Sequence, residues 1–357
     1  MIQKIELLGK CSSELEDFAE ELGEPRFRGR QLYKWIYQKN TGSFHEMNDI
    51  PRDLRFKLDE MAQISIPRVL KQRAAPDGTR KFLMELGDKK RIETVVIPQS
   101  EGKNAKYTIC VSTQVGCPLQ CVFCATGLSG FQRSLAAFEI AGQVLGSNRE
   151  LMRRLKQKEP RLINNVVFMG MGEPMLNYHE MVKSVHLINE PKGINIGQRH
   201  ITVSTAGHVE GILALAAEKL QVTLAVSLHA ASDELRDQLM PINKKYPLRQ
   251  LMPAIAEYIK QTGRRVTFEY VLLDEVNMRT QDADNLIRLV KPLLANINLI
   301  PYNIVTGANY LPPSPNKIKG FYQKLIQAGL NVTVRQERGA DIDGACGQLA
   351  AHMIAKF

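Results

Sequence analysis

The sequence lacks any uninterrupted apolar run long enough to cross a bilayer, and its 357 residues include only six cysteines. The first 18 residues carry six charged side chains, so we expect no secretory signal peptide. A secreted domain held together by disulfides is therefore excluded. Low-complexity segments and internal repeats of short period are also missing. Together these absences favour a cytoplasmic globular protein in a reducing compartment, with no membrane partner.

The overall amino-acid composition is ordinary in hydrophobic content but strongly basic. Apolar residues make up 44% and charged residues 24% of the chain, which suits one large domain with a smaller one attached. The net charge of +10 favours a polyanionic partner, most simply nucleic acid. The alternative is a basic cytoplasmic enzyme with no such partner.

Four of the six cysteines fall within fifteen residues, at Cys110, Cys117, Cys121 and Cys124. The last three form the stretch GCPLQCVFC, where soft thiolates converge on one loop and can hold a single metal centre. A [4Fe–4S] cluster needs four ligands, so three cysteines would leave one iron open to a small molecule. A structural zinc site completed by Cys110 remains the alternative.

Helical periodicity marks residues 15–63, and two alternating segments at 79–85 and 91–97 predict a β-hairpin. From residue 107 onward, strands and helices alternate, which predicts a parallel sheet with helices outside, either a full or partial barrel or a doubly wound sheet. The predicted strands are 107–112, 164–169, 200–205, 222–228, 266–272, 297–301 and 331–335. The predicted helices are 138–155, 179–189, 209–218, 248–259, 282–294 and 317–327.

Two basic segments are candidates for contact with RNA. Residues 26–35 interleave arginines with aromatics, which suits phosphate contact and base stacking, although Trp35 better fits a small helical core. A second basic stretch is either an RNA contact or a solvated helix face; it comprises Arg149, Arg153, Arg154, Lys156, Lys158 and Arg161.

Polar residues follow several predicted strands, where such folds place their ligands. Gly172 and Glu173 lie in the turn FMGMGEP, which by itself could equally be structural. His229 follows the strand ending at Ser227 and could be a core histidine. Cys346 lies among small residues in the loop GACGQL, which suits an accessible nucleophile.

The cysteine spacing, with Phe123 before the last cysteine, resembles the radical S-adenosylmethionine (SAM) superfamily. Nearly the whole chain resembles the RlmN-type adenine-C2 methyltransferases and their C8-directed relatives of the Cfr type. The matching segments are IETV at 92–95, CVSTQVGC at 110–117, GMGEP, SLHAA and ACGQL. The resemblance implies a partial (β/α)6-type radical SAM barrel with a small helical N-terminal domain and a β-hairpin extension.

The implied domains are residues 1–75 (helical, RNA-binding), 76–105 (hairpin linker), 106–335 (barrel) and 336–357 (C-terminal segment with the methyl-carrying cysteine). The resemblance also implies a [4Fe–4S] cluster held by Cys117, Cys121 and Cys124, and two SAM molecules consumed per methylation. The implied SAM contacts are Gly172, Glu173, Ser204, Ser227, Leu228, His229 and Asn303.

The implied reaction begins when one SAM methylates Cys346. A radical derived from a second SAM then removes hydrogen from that methyl group, and the resulting carbon radical adds to adenine C2, which polar methyl transfer cannot reach. Glu93 is the implied base, and Cys110 forms a transient disulfide with Cys346 to release the product. Cys11 has no implied role.

The implied substrates are the 23S rRNA adenosine in the peptidyl-transferase loop and the tRNA adenosine 3′ of the anticodon, with a flavodoxin as electron donor. No residue separates C2 from C8 chemistry, so a Cfr-type enzyme stays the nearest alternative. A zinc-stabilised RNA-binding protein without catalysis is the alternative of another class.

Overall fold

The computed structural model describes residues 4–99, 106–156 and 161–350. Its strands are β1 (Ile5–Glu6), β2 (Ala62–Gln63), β3 (Arg68–Ala74), β4 (Arg80–Glu85), β5 (Arg91–Pro98), β6 (Tyr107–Cys110), β7 (Gln114–Gly116), β8 (Phe131–Ser134), β9 (Ile163–Phe168), β10 (Ile201–Thr205), β11 (Thr223–Ser227), β12 (Val266–Leu272), β13 (Ala295–Pro301) and β14 (Val332–Val334). Its α-helices are α1 (Ser12–Glu21), α2 (Phe27–Tyr33), α3 (Arg52–Met61), α4 (Ala125–Leu128), α5 (Ala137–Leu155), α6 (Tyr178–Asn189), α7 (Val209–Ala217), α8 (Asp233–Leu239), α9 (Leu248–Thr262), α10 (Thr280–Val290) and α11 (Pro315–Gln327).

The main sheet has ten strands in the order β14-β13-β12-β11-β10-β9-β6-β5-β4-β3. Every pair from β6 to β14 in this order is parallel, with helices between successive strands. The fold predicted from the sequence, a partial barrel of parallel strands, is confirmed. All seven predicted strands and all six predicted helices of this region are present, and the short elements β7, α4, β8 and α8 are additions. The carboxyl ends of the parallel strands therefore gather at one face, where α/β proteins of this kind bind ligands.

The predicted hairpin is also present, as β4 and β5. It does not stand apart from the barrel: β5 pairs antiparallel with β6, with Val95 opposite Cys110, so the sheet is continuous. A third strand, β3, pairs with β4 and was missed because this edge strand alternates poorly and is only partly buried.

Three short helices form the N-terminal region, and α2 continues into a π-helical turn at Lys34–Gln38. Trp35 is buried there, as expected of a core residue. The arginines proposed as RNA contacts are engaged by acids: Arg26 lies 2.7 Å from Glu20, and Arg30 lies 2.9 Å from Glu16. Exposed pairs of this kind are weak, but they reduce the positive charge on this face.

For the second basic stretch, the structure favours a solvated helix face over an RNA contact. Arg153 and Arg154 each lie 2.7 Å from Glu150, and Arg161 donates to the carbonyl of Ile194 at 2.6 Å. Lys158 falls outside the described residues. Within the ranges given above, no helix combines the length and apolarity that a membrane span requires.

Candidate active site

The three-cysteine loop joins β7 to α4 and is shaped by a glycine. Gly116 has φ +80°, and a Cβ added there would lie 1.9 Å from the carbonyl oxygen of Gly130. This close approach lets the amide of Cys117 donate to that same oxygen at 2.9 Å. Cys124 caps the N-terminus of α4. The loop is therefore folded back on itself at the carboxyl face of the sheet.

The loop borders a small cavity of about 170 Å³, which we call the small cavity. All three loop cysteines line it, together with most of the residues that the resemblance implies for SAM: Gly172, Glu173, Ser204, Ser227, His229 and Asn303. Leu228 does not line it, because its side chain is fully buried and its amide donates to the carbonyl of Glu269 at 3.0 Å. The structure thus brings together residues that lie up to 186 positions apart, from Cys117 to Asn303.

Glu173 presents a buried carboxylate to this cavity. It accepts hydrogen bonds from the amides of Met175 at 3.1 Å and Ala206 at 2.8 Å. Burial raises the pKa of this carboxyl, and the two hydrogen bonds oppose that shift. Gly172 has φ +101°, and a Cβ there would meet the side chain of Gln114 at 2.6 Å. Only glycine allows the chain to turn here.

Among the described residues, Asn303, which lines the small cavity, has a buried Oδ1 without a hydrogen-bond partner. Buried acceptors in this state fit a ligand that brings its own donors. The amino group of SAM is such a donor, and Glu173 offers a matching carboxylate. The polar groups of the cavity therefore fit SAM.

His229 has an unusual backbone, with φ +57°, and packs edge-on against the ring of Phe123 at 5.0 Å. Its Nδ1 accepts a hydrogen bond from the amide of Val271 at 3.0 Å. Burial lowers the pKa of His229 to about 3, and the charge of Arg236 adds to that shift. The ring is therefore neutral and carries its proton on Nε2.

The three cysteines fit a cluster better than a single ion. No group of three or more His, Cys, Asp and Glu side chains within the described ranges is arranged to hold one metal ion. Cys110, the fourth ligand of the zinc alternative, does not line the small cavity that the three loop cysteines border. Each thiolate of an iron–sulfur cube binds a different iron, so the sulfurs need not converge on one point. Burial raises the pKa of Cys117 to about 12 and also raises that of Cys121, so bound metal would have to supply the charge that keeps them deprotonated.

A larger cavity of about 730 Å³ adjoins the first, and Cys110, Cys124 and Cys346 all line it. We call it the large cavity. Burial raises the pKa of Cys110 to about 12 and raises that of Cys346, which the nearby charge of Arg335 opposes. All six cysteines are free thiols in this structure, so the implied disulfide between Cys110 and Cys346 is not formed.

The loop that carries Cys346 is tied to the cysteine loop. The amide of Ala125 donates to the carbonyl of Gly347 at 2.7 Å, and Thr126 Oγ1 donates to that of Leu349 at 2.6 Å. Asn303 Nδ2 donates to the carbonyl of Cys346 at 3.1 Å. Cys346 consequently lines both cavities.

Glu93 does not line either cavity. Its carboxylate is buried, 3.2 Å from the ammonium of Lys81, and accepts a hydrogen bond from the amide of Ala350 at 2.9 Å. Val95 and Ile97, which share its face of β5, do line the large cavity. Glu93 is therefore next to the cavity, beneath the C-terminal segment.

The sequence-based set of site residues missed three side chains. Glu269 and Arg335 line both cavities, and Arg236 is fully buried behind the strand ends. Glu269 left a signal, since it is a lone carboxylate in the apolar strand VTFEYVL. The two arginines left none, because nothing local in the sequence separates them from surface arginines. Cys11, by contrast, is exposed at the N-cap of α1, far along the chain from this site.

Comparisons with known proteins agree with this geometry. Residues 5–64 match the family model for the ribosomal RNA large subunit methyltransferase N-terminal domain, and residues 111–288 match that of the radical SAM superfamily. A probable dual-specificity RNA methyltransferase RlmN from Syntrophomonas wolfei is 63% identical over 348 residues, 98% of each chain. Its counterpart from Moorella thermoacetica is 45% identical over 350 residues, again 98% of each chain.

Among solved structures, a radical SAM methyltransferase from Sphaerobacter thermophilus superposes with a TM-score of 0.91 at 41% identity. The match covers 97% of this chain and 99% of that one. Both the sequence and the fold are thus shared along almost the entire length. The chain belongs to the RlmN family of radical SAM methyltransferases, which use a [4Fe–4S] cluster and SAM.

Proposed function

We propose that this protein methylates C2 of one adenosine in the peptidyl-transferase loop of 23S rRNA and of the adenosine 3′ of the anticodon in tRNAs. The methyl group travels through S-methylated Cys346. The observation that carries this proposal is the meeting of Cys110, Cys124 and Cys346 at one cavity, although Cys110 and Cys346 lie more than 200 residues apart. A cluster alone would not require the two extra thiols.

Cys117, Cys121 and Cys124 would hold the cluster, whose chemistry when bound is the reductive cleavage of SAM to a carbon radical. Glu173 would accept hydrogen bonds from the SAM amino group, and Gly172 would let the backbone approach the ligand. Ser204, Ser227 and Asn303 would contribute polar contacts from neighbouring strand ends, and His229 would donate from Nε2. Leu228 would act through its place in the backbone, since it is fully buried and does not line the small cavity.

Cys346 lines both cavities, so a methyl group on its sulfur would lie between SAM in the small cavity and the adenosine in the large one. Cys110 would displace the product by forming the disulfide with Cys346, since both thiols line the large cavity. Glu93 would remove the ring proton once the C-terminal segment that covers its carboxylate has moved, because a base must reach the proton it takes.

Residues 1–75 would form the RNA-binding domain, which is supported by the match of residues 5–64 to the ribosomal RNA large subunit methyltransferase N-terminal domain. The hairpin 76–105 and the segment 336–357 would complete the barrel of 106–335. Across these proposed domains, residues 1–3, 100–105, 157–160 and 351–357 lie outside the described ranges. Ribosomal and transfer RNA are cytoplasmic molecules, so the proposal includes a cytoplasmic location. It also includes a flavodoxin as the one-electron donor.

The test is methylation of 23S rRNA fragments and tRNA in vitro, with mass spectrometry that separates 2-methyladenosine from 8-methyladenosine. We expect the C2 product with both RNAs, and an 8-methyl product would favour the Cfr-type alternative. Cys346→Ala should keep iron and SAM binding but lose methylation. Cys110→Ala should trap a covalent protein–RNA adduct that survives a denaturing gel. Cys11→Ser is the matched control and should methylate normally; methylation by Cys346→Ala would refute the carrier role.

A further inference from the structure

Arg236 is a fully buried arginine on α8, and its guanidinium bonds to the ends of two strands. Its Nε donates to the carbonyl of Leu228 at 3.1 Å. Its Nη2 donates to the carbonyls of Ala206 at 2.6 Å and Ser227 at 3.2 Å. One side chain therefore joins the carboxyl ends of β10 and β11, where the residues proposed for SAM are placed.

These carbonyls belong to segments that also contact the proposed SAM site. Ala206 is held on its amide side by Glu173 at 2.8 Å and on its carbonyl side by Arg236. Ser227 itself lines the small cavity. Hydrogen bonds to a charged donor are stronger than neutral ones, so the position of Glu173 relative to Ser227 depends on this guanidinium.

The charge of Arg236 is not neutralised by a directly bonded acid. Its hydrogen bonds within the described ranges go to three backbone carbonyls and one side-chain amide, and none goes to a carboxylate. Its Nη1 instead donates to Asn243 Oδ1 at 2.8 Å, and Asn243 donates in turn to Asp237 at 2.7 Å and Asp233 at 3.0 Å. Burial lowers the pKa of Arg236 to about 10, so it remains charged at neutral pH.

The same helix touches the cysteine loop. The amide of Val122 donates to the carbonyl of Leu239, the last residue of α8, at 3.2 Å. Cys121, a proposed cluster ligand, precedes Val122, so the helix that carries the buried Arg236 is hydrogen-bonded to the residue next to that ligand. A buried positive charge beside a cluster ligand stabilises the more reduced, more negative cluster, because cluster potentials follow local charge.

We propose that Arg236 is a positioning residue with two effects: it aligns the SAM-binding strand ends, and its charge raises the reduction potential of the cluster. The proposal rests on the cluster and SAM contacts proposed above. It adds a residue that touches neither ligand and acts through backbone carbonyls and charge.

The test uses anaerobically reconstituted holoprotein without RNA and measures three quantities: iron per chain, the Kd for SAM and the midpoint potential. Arg236→Lys keeps the charge but cannot reproduce the branched hydrogen bonds, so we expect the Kd to rise roughly tenfold with little change in potential. Arg236→Met should raise the Kd at least as much and shift the potential to more negative values.

Arg264→Gln is the matched control. Arg264 donates to the carbonyl of Val222 at 2.9 Å, at the opposite end of β11, so it holds the same strand away from the site. The SAM Kd and the midpoint potential of Arg264→Gln should match those of the parent. If Arg236→Met fails to fold, Asn243→Ala removes one partner of the guanidinium and should still raise the Kd about threefold.

An Arg236→Met holoprotein with full iron and a SAM Kd within twofold of the parent would overturn the positioning role. An unchanged potential in that variant would overturn the charge effect. An equal rise in the SAM Kd for Arg264→Gln would also overturn the positioning role, because loosening β11 at either end would then have the same consequence. None of these measurements involves methyl transfer, so a failure here is distinct from a failure of Cys346→Ala to lose methylation.

Discussion

Two glycines that flank the cysteine loop, one before Cys117 and one before β8, have nearly the same backbone conformation but different surroundings. Gly116 has φ +80° and Gly130 has φ +77°. A Cβ added to Gly116 would lie 1.9 Å from the carbonyl oxygen of Gly130, whereas a Cβ added to Gly130 would meet nothing within 4 Å. The pair Gly116→Ala and Gly130→Ala therefore separates the effect of close contact from that of backbone strain.

Both alanines are strained by their positive φ, at a cost of about 1–2 kcal/mol each. Real Cβ contacts are essentially never shorter than 3.0 Å, so at Gly116 the two backbones must also separate by about 1 Å. That movement stretches the 2.9 Å hydrogen bond from the Cys117 amide to Gly130 beyond its normal range. Overpacking costs about 1–3 kcal/mol and the lost hydrogen bond about 1 kcal/mol, so Gly116→Ala should be about 2–4 kcal/mol less stable than Gly130→Ala.

Urea unfolding of both variants in the metal-free state measures this difference, and iron content after anaerobic reconstitution measures its consequence. Gly130→Ala should bind nearly as much iron as the parent, whereas Gly116→Ala should bind much less because Cys117 is displaced. Equal stability and equal iron in the two variants would refute the argument that this contact shapes the cluster loop.

Three further predictions use the same kinds of measurement. Gly172→Ala should weaken SAM binding, because its Cβ would lie 2.6 Å from the Gln114 side chain, whereas Gly263→Ala, with φ +65° and open space, should not. His229 has a folded pKa of about 3 against 6.5 when unfolded, so protonation of the unfolded chain lowers stability as pH falls below 6.5. Between pH 7.5 and pH 5, the free energy of unfolding in urea should therefore fall by about 2 kcal/mol less for His229→Gln than for the parent. Parallel pH profiles of the two proteins would contradict this. Lys81→Met should cost about 3–5 kcal/mol because it leaves Glu93 buried without its cation, whereas Lys89→Met, at an exposed pair, should cost less than about 1 kcal/mol.

The barrel was predictable because its strands are buried on both faces. A run such as Val266–Leu272 is almost continuously apolar, and amphipathic helices between such runs leave only a parallel sheet as a solution. Strand β3 was not predictable in this way, since its stability comes from pairing with β4 and not from burial of its own side chains. Helix α8 is only seven residues long, too short for periodicity to stand out.

Among the site residues too, those in local motifs could be predicted from the sequence, and those that depend on long-range strand pairing could not. The cysteine loop and the Gly172–Glu173 turn are local motifs, and their residues are adjacent in the sequence before folding. Arg236 acquires its role only when β10 and β11 are side by side, because its partners are the carbonyls of Ala206, Ser227 and Leu228. Backbone acceptors are the same at every position, so no residue type in the sequence marks them.

The methyl-carrying role proposed for Cys346 depends on a segment with little structure of its own. Residues 343–350 form no strand or α-helix, and their position is set by hydrogen bonds to Ala125, Thr126 and Asn303. Helix α4 begins immediately after Cys124, so Ala125 and Thr126 are in place only when the cysteine loop is folded. Because the same two residues are hydrogen-bonded to the Cys346 loop, the fold of the cysteine loop also determines where the Cys346 thiol lies. If the cysteine loop holds the cluster as proposed, these shared hydrogen bonds would keep the Cys346 thiol beside it, where the proposed mechanism requires hydrogen removal from the methyl group.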